Sequence, residues 1–240
     1  KYAVFASVLD PQSFGVYSLV LTTYVFVMYA GSLGLNEALI KLGSMSYGKG
    51  AYSDLNQLRD ISIFYGGIAT SIASGIFLIG LWFFVEDVDL RGSLSLASIL
   101  AVSVLCYNLL DSYLRVKQRL VFFSSMLLIK SLFILVFGFL IAPKYGVDGV
   151  ILIEIGVFSV LFLFMLFFCG SRYRFSNILQ SRGLLKRAVQ NGFPLLVSMF
   201  IRKICLSLDR WVVAASLGLS ALGKYAFVMI ILLVAMTGMG

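Results

Sequence analysis

The sequence predicts an all-α polytopic membrane protein, on three observations. Of its 240 residues 60% are hydrophobic and only 12% charged, too few polar groups to coat a soluble globule of this size. The apolar residues fall in runs of about 20 or more, the length that crosses a bilayer as a helix. The cations gather in alternate short loops, as the positive-inside rule requires of a chain that crosses repeatedly.

Taken in order, spans are expected near 14–40, 61–85, 93–114, 121–142, 147–169, 188–210 and 221–240, with residues 1–9 as the outer end of an earlier span. The first is long enough to tilt, and Gly31 and Gly34 mark a flexible point in it. One set of loops holds Lys41, Lys49 and Arg59, then Arg115, Lys117 and Arg119, then Arg172, Arg174, Arg182, Lys186 and Arg187. That set faces the cytoplasm. The other set, "DPQS", "EDVDLRG" and "PKYGVD", is acidic or nearly neutral and faces out, with Trp82 and Trp211 expected as interfacial anchors. The polar stretch 170–187 sets Phe175, Ile178, Leu179, Leu184 and Leu185 among cations. It reads either as a topology signal or as a short helix on the inner leaflet.

Lys and Arg outnumber Asp and Glu 19 to 11, but the excess sits in loops and not on helix faces interleaved with aromatics, which argues against nucleic-acid binding. Cys106, Cys169 and Cys205 lie in or beside apolar spans without metal-ligand spacing, and His is absent. A disulfide framework, a zinc site and histidine-based catalysis are not indicated, and no cofactor is expected. The chain starts at Lys1 and stops at Gly240 inside an apolar run, so a fragment of a longer protein is expected.

An internal repeat is visible. "SFGVYSLVL" (13–21) and "ALGKYAFVM" (221–229) each place a Gly two residues before a Tyr at an outer entrance to a span. Six spans separate the copies, so both would share one orientation. This predicts two parallel lobes about an axis along the membrane normal, as in transporters. The division is 1–170 as an N-terminal lobe, 171–187 as a cytoplasmic basic linker, and 188–240 as the start of a C-terminal lobe.

A charge within a span costs about 2.5–3.5 kcal/mol, so each needs a partner, a hydrated cavity or a route to the surface. Asp111 and Arg115 are four apart, and a local ion pair accounts for both. Glu37 sits near an inner end with Lys41 as its i, i+4 partner. Lys130 lies about 20 Å from the outer loop at Pro143 and Glu154 only about 9 Å from Asp148, which leaves Lys130 without a partner on the neighbouring helix. Arg202 is about 22 Å along its helix from Arg187, too deep to snorkel easily, and too far from Asp209 to pair with it. Either a hydrated, cation-lined cavity receives Arg202, Lys203 and Lys130, or another helix supplies carboxylates.

"DPQSFGVYSLV", "GSLGLNEALIK", "YLRVKQR", "YGVDGVIL", "NGFPLLVSMFI" and "LDRWVVAASLGLSALGKYAFV", in that order and spacing, resemble the Wzx-type polysaccharide biosynthesis proteins. These are oligosaccharide-lipid flippases of the superfamily that includes the multidrug and toxin extruders and the lipid II flippases. The resemblance covers nearly the whole chain. It implies a MATE-like bundle of two six-helix lobes, with the first span clipped and the second lobe cut short here. It also implies export of a polyprenyl-pyrophosphate-linked sugar repeat (O-antigen, capsule or exopolysaccharide) across a prokaryotic inner or plasma membrane by alternating access.

On that resemblance, Lys130, Arg202 and Lys203 would meet the pyrophosphate, Arg as a bidentate and Lys as a point contact. Asp209 with Arg210 would stabilise or gate the lobes. Asp111, Glu37 and Glu154 would serve a coupling ion, H+ or Na+. The expected partners are the lipid-linked oligosaccharide, membrane lipids, and the polysaccharide polymerase and chain-length machinery. A cation-extruding drug antiporter of the same fold is the alternative, although it would favour acidic groups over the basic ones found centrally. A membrane polymerase or acyltransferase would carry a large outer loop or a His/Asp centre, and neither occurs, so an enzyme is not expected.

Overall fold

The computed structural model describes residues 2–168 and 182–238, and the regular structure there is helical throughout. The helices are α1 (Tyr2–Val8), α2 (Pro11–Gly31), α3 (Leu35–Gly48), α4 (Tyr52–Phe84), α5 (Val88–Val116), α6 (Leu120–Phe168), α7 (Arg182–Cys205) and α8 (Leu208–Gly238). Five stretches are long and apolar enough to cross a membrane: Pro11–Gly31, Tyr52–Phe84, Val88–Val116, Leu120–Phe168 and Gly183–Leu232. The described residues are therefore all-α, with the helices of a multi-pass membrane protein.

Local chemistry starts the helices where the sequence supplies caps. Asp10 accepts hydrogen bonds from the backbone N–H of Gln12 (3.1 Å) and Ser13 (3.2 Å), and Pro11 at the first helical position gives up an N–H that would have had no partner. Hydrogen bonding from Ser13, side chain first and then backbone, holds the Asp10 carboxyl below its ordinary value. Asp87 caps α5 in the same way, accepting from Asp89 and Leu90.

At 49 residues α6 would be about 73 Å long if straight, more than twice the hydrocarbon thickness. It is not straight. Gly146 adopts φ 59° and ψ −144°, and the ring of Phe122 stacks on that of Phe164 at 6.5 Å. Residues 120–145 and 147–168 are thus two antiparallel arms. α8 repeats the device at Gly218 (φ 85°, ψ 174°), beyond which Tyr225 donates its hydroxyl hydrogen bond back to Asp209. Both glycines hold conformations that a Cβ would oppose.

α5 is the hub of the bundle and packs on α2, α3, α4 and α6. Its apolar window is 61% buried against 17% for α4, so α4 lies at the periphery. The core joins Phe5, Tyr17, Leu39, Leu100, Tyr107 and Ile151 with their neighbours. Two long-range contacts bring the later helices onto the earlier ones: α8 lies along α2, and α7 along α3.

Several expectations are corrected. The span 14–40 is two helices, broken at Ser32–Gly34, where Leu33 (φ 51°) and Gly34 (φ 73°) are left-handed. The span 188–210 begins earlier, at Arg182, and breaks at Leu206–Ser207. Arg59 is no loop residue; it is 1% exposed within α4. Trp82 is 73% exposed at the end of α4, with Arg91 over its ring, whereas Trp211 packs edge-on against Phe26. Cys169 and most of the 170–187 stretch lie outside the described residues, apart from the portion that begins α7.

Candidate functional site

Five of the singled-out residues lie on α3, α5 and α6. Asp111, buried on the hub helix, pairs with Arg115 at 3.2 Å, the expected i, i+4 bridge. Arg115 also donates to Ser112 Oγ (3.1 Å), which donates to Asn36 Oδ1 (2.9 Å) on α3. Only one carboxylate oxygen is used: Asp111 Oδ1 and, one turn away, Tyr107 Oη are buried without a hydrogen-bond partner. Lys130 faces the same place, its Nζ 4.9 Å from the Tyr107 ring centroid and 5.5 Å from that of Phe158, near enough to Asp111 for the two charges to interact. The expectation that its neighbouring helix leaves Lys130 bare is thus corrected. The neighbour supplies an aromatic face, and the ammonium stands within about one turn of the level of Glu154.

Glu154 is 1% exposed and accepts a hydrogen bond of 2.6 Å from Tyr17, tying the second arm of α6 to α2. Glu37 is buried with Oε2 unpartnered, and Lys41 is exposed and makes no ion pair with it, contrary to expectation. Burial explains the difference. The first turn of α3 turns inward against its neighbours, while Lys41 stays at the surface.

Arg202 and Lys203 occupy the last turn of α7, exposed and without an ion-pair partner among the described residues. They do not join Lys130. α7 packs on α3, α4 and α2, whereas α6 packs on α5, α1 and α2. A cavity of about 340 Å³, where the starts of α2 and α5 meet the tip of α6, is lined by Asp10, Asp87, Asp89 and Asp148, and by none of the three cations. Asp209 receives the Tyr225 hydroxyl, and Arg210 Nη1 lies 3.5 Å from Thr22 Oγ1 of α2, so both bind the first arm of α8 to its surroundings.

The two copies of the repeat lie face to face. A Cβ on Gly15 would run into Leu219 and come within 3.2 Å of Gly223 N, and one on Gly223 would run into Pro11 and come within 3.1 Å of Gly15 N. Gly34 and Gly192 meet in the same backbone-to-backbone way. The recurrence of Gly-x-Tyr marks the first of these crossings in the sequence.

Sequence reasoning missed one buried charge cluster. Arg59 Nε and Nη2 both donate to Asp60 Oδ1, at 2.8 and 2.5 Å, with both residues almost wholly enclosed. The Arg59 guanidinium lies 5.0 Å from the Tyr113 ring centroid and Lys117 Nζ 4.6 Å from it, while Tyr113 donates to Asn56 Oδ1 at 2.6 Å. The one available signal was "LRDI", an Arg-Asp pair flanked by apolar residues that continue the helical period.

An all-helical bundle with ionisable groups held among apolar helices defines a multi-pass membrane protein. Beyond that class, comparison with models of known families, with curated proteins and with solved structures finds no match.

Proposed function

We propose that this chain is part of a Wzx-type flippase with a MATE-like two-lobed bundle, which moves a polyprenyl-pyrophosphate-linked oligosaccharide across a prokaryotic inner or plasma membrane by alternating access. The observation that carries the proposal is the Arg202–Lys203 pair. Two adjacent cations stand exposed in the last turn of α7, without a carboxylate partner among the described residues. Facing lipid they would cost several kcal/mol, and facing a hydrated passage they would meet a pyrophosphate. The order of the resembling motifs supports the same reading. In it Lys130 acts through the Tyr107–Asp111 cluster and not beside Arg202, and Asp209 and Arg210 hold the halves together.

The test is a proteoliposome assay with a fluorescent pyrophosphate-linked glycolipid, scoring exposure of its sugar to an external glycosidase. Native protein accelerates exposure, and Arg202→Gln/Lys203→Gln abolishes it while the protein stays folded.

The buried carboxylates of Asp111 and Glu37, each with an oxygen that has no hydrogen-bond partner, favour a second reading, a cation antiporter of the same fold. In the flippase these two, with Glu154, couple transport to H+ or Na+. Transport of a cationic dye against such a gradient, with no glycolipid movement, would select the antiporter.

A further inference from the structure

Four aromatic rings from three helices stand in series where α2 meets α7 and α8. Trp211 of α8 lies 6.3 Å from Phe26 of α2, Phe26 lies 5.9 Å from Phe200 of α7, and Phe200 stacks on Tyr29 of α2 at 6.2 Å, all between ring centroids. Rings that serve only the core are enclosed, as the Phe5–Tyr17 pair is at 0% exposure. The four residues of the series are only partly buried, so each keeps surface open. Nor do they form an interfacial belt. Phe26 is 15 residues past Pro11, about 22 Å along α2, inside the hydrocarbon layer and away from the boundary where such belts lie.

Polar groups flank the rings. Lys203 is one turn beyond Phe200 on the same helix face, with Arg202 beside it, both exposed and without an ion-pair partner among the described residues. Toward α3, the Tyr29 phenol is near enough to Glu37 to feel its charge. Glu37 is 6% exposed, and its Oε2 accepts no hydrogen bond among the described residues. Together these groups suit one ligand that brings C–H bonds to lie on π faces, hydroxyls to donate to a buried carboxylate, and an anion to meet two cations. A lipid tail brings only the first. A pyranose brings C–H bonds on the faces of its ring and hydroxyls around its edge.

We propose that Trp211, Phe26, Phe200 and Tyr29 form a saccharide platform, on which the sugar rings of an anionic glycolipid lie with a hydroxyl donated to Glu37 and the linking phosphates held by Arg202 and Lys203. This rests on the flippase reading and adds to it the part of the site that takes the glycan. A proton or cation on Glu37 removes its acceptor, so the coupling ion and the sugar compete for one carboxylate.

The test reads binding and not transport. The chain has two tryptophans, and Trp82→Phe, at the exposed end of α4, leaves Trp211 as the sole reporter. That protein, in nanodiscs, is titrated with a polyprenyl pyrophosphate bearing a β-linked glucose trisaccharide and with the same lipid lacking sugar. The sugar-bearing lipid shifts and quenches Trp211 emission saturably, and the bare lipid leaves it unchanged. An equal response to both lipids, or a response to neither, overturns the proposal.

Phe26→Leu/Tyr29→Leu keeps apolar bulk and removes two rings. It weakens binding of the sugar-bearing lipid about tenfold by calorimetry and leaves the bare lipid within about twofold; equal weakening of both overturns the proposal. Should this variant misfold, the two titrations of the Trp82→Phe protein decide alone. A glycolipid that stays put in the transport assay while Trp211 answers only to the sugar-bearing lipid defeats the flippase reading and leaves the platform standing. Glycolipid movement with a silent Trp211 does the reverse.

Discussion

Arg59 with Asp60 and Arg202 with Lys203 are two places where charge enters the helices as adjacent residues, and they are opposites. The first pair is neutral overall, enclosed and hydrogen-bonded, with Tyr113 covering the guanidinium. The second is doubly positive, exposed and without counter-charge among the described residues. Burial matched by an opposite charge is how a fold accommodates an ion; exposure of like charges along an apolar helix leaves the ions available to something else.

Breaking the first pair has the largest expected effect. Asp60→Ala removes the carboxylate that the buried Arg59 guanidinium donates to and lowers stability by about 3–5 kcal/mol, whereas Arg59→Met/Asp60→Leu, which removes both charges, costs less than the single change. Thermal unfolding in detergent reads both, and a double variant less stable than Asp60→Ala would refute the contrast. Tyr17→Phe deletes the hydroxyl that Glu154 accepts from and costs about 1–3 kcal/mol by the same assay, a buried polar contact of intermediate effect.

At the rim, Asp10→Ala costs about 1 kcal/mol through loss of the α2 cap. Because the folded carboxyl titrates below its ordinary value of 3.8, the contribution of the cap is complete above that value and fades as pH falls through the lower folded one. Unfolding of the native protein and of Asp10→Ala should therefore converge in acid. The smallest stability effect belongs to Arg202→Gln/Lys203→Gln, within about 0.5 kcal/mol, since exposed groups without partners lose no contacts. Under the proposed flippase function, the same variant is the one expected to abolish glycolipid movement.

The division into helices was legible wherever it was written in local chemistry. "PKYGVD" announces the reversal at Gly146, whereas the caps at Asp10 and Asp87 start their helices at Pro11 and Val88, ahead of the expected 14 and 93. The break at Leu206–Ser207 carries neither Gly nor Pro, so an apolar run read through it. The surroundings of Lys130 come from Phe158, 28 residues on, and from Tyr107, 23 residues back, and no spacing rule joins residues across a hairpin and a separate helix. Arg59 was misplaced because a charge near a span end is usually a loop charge. Its enclosure depends on Tyr113 of another helix.

The glycine crossings have a thermodynamic consequence. A seam built from side chains must freeze rotamers each time it forms, at up to about 2 kcal/mol for each long chain. At Gly15 against Gly223 and at Gly34 against Gly192 the contact is main chain on main chain, already ordered by its helices, so closure removes almost no conformational freedom. Such a joint is cheap in conformational entropy, and its strength comes from the close fit of backbones that the absence of a Cβ allows.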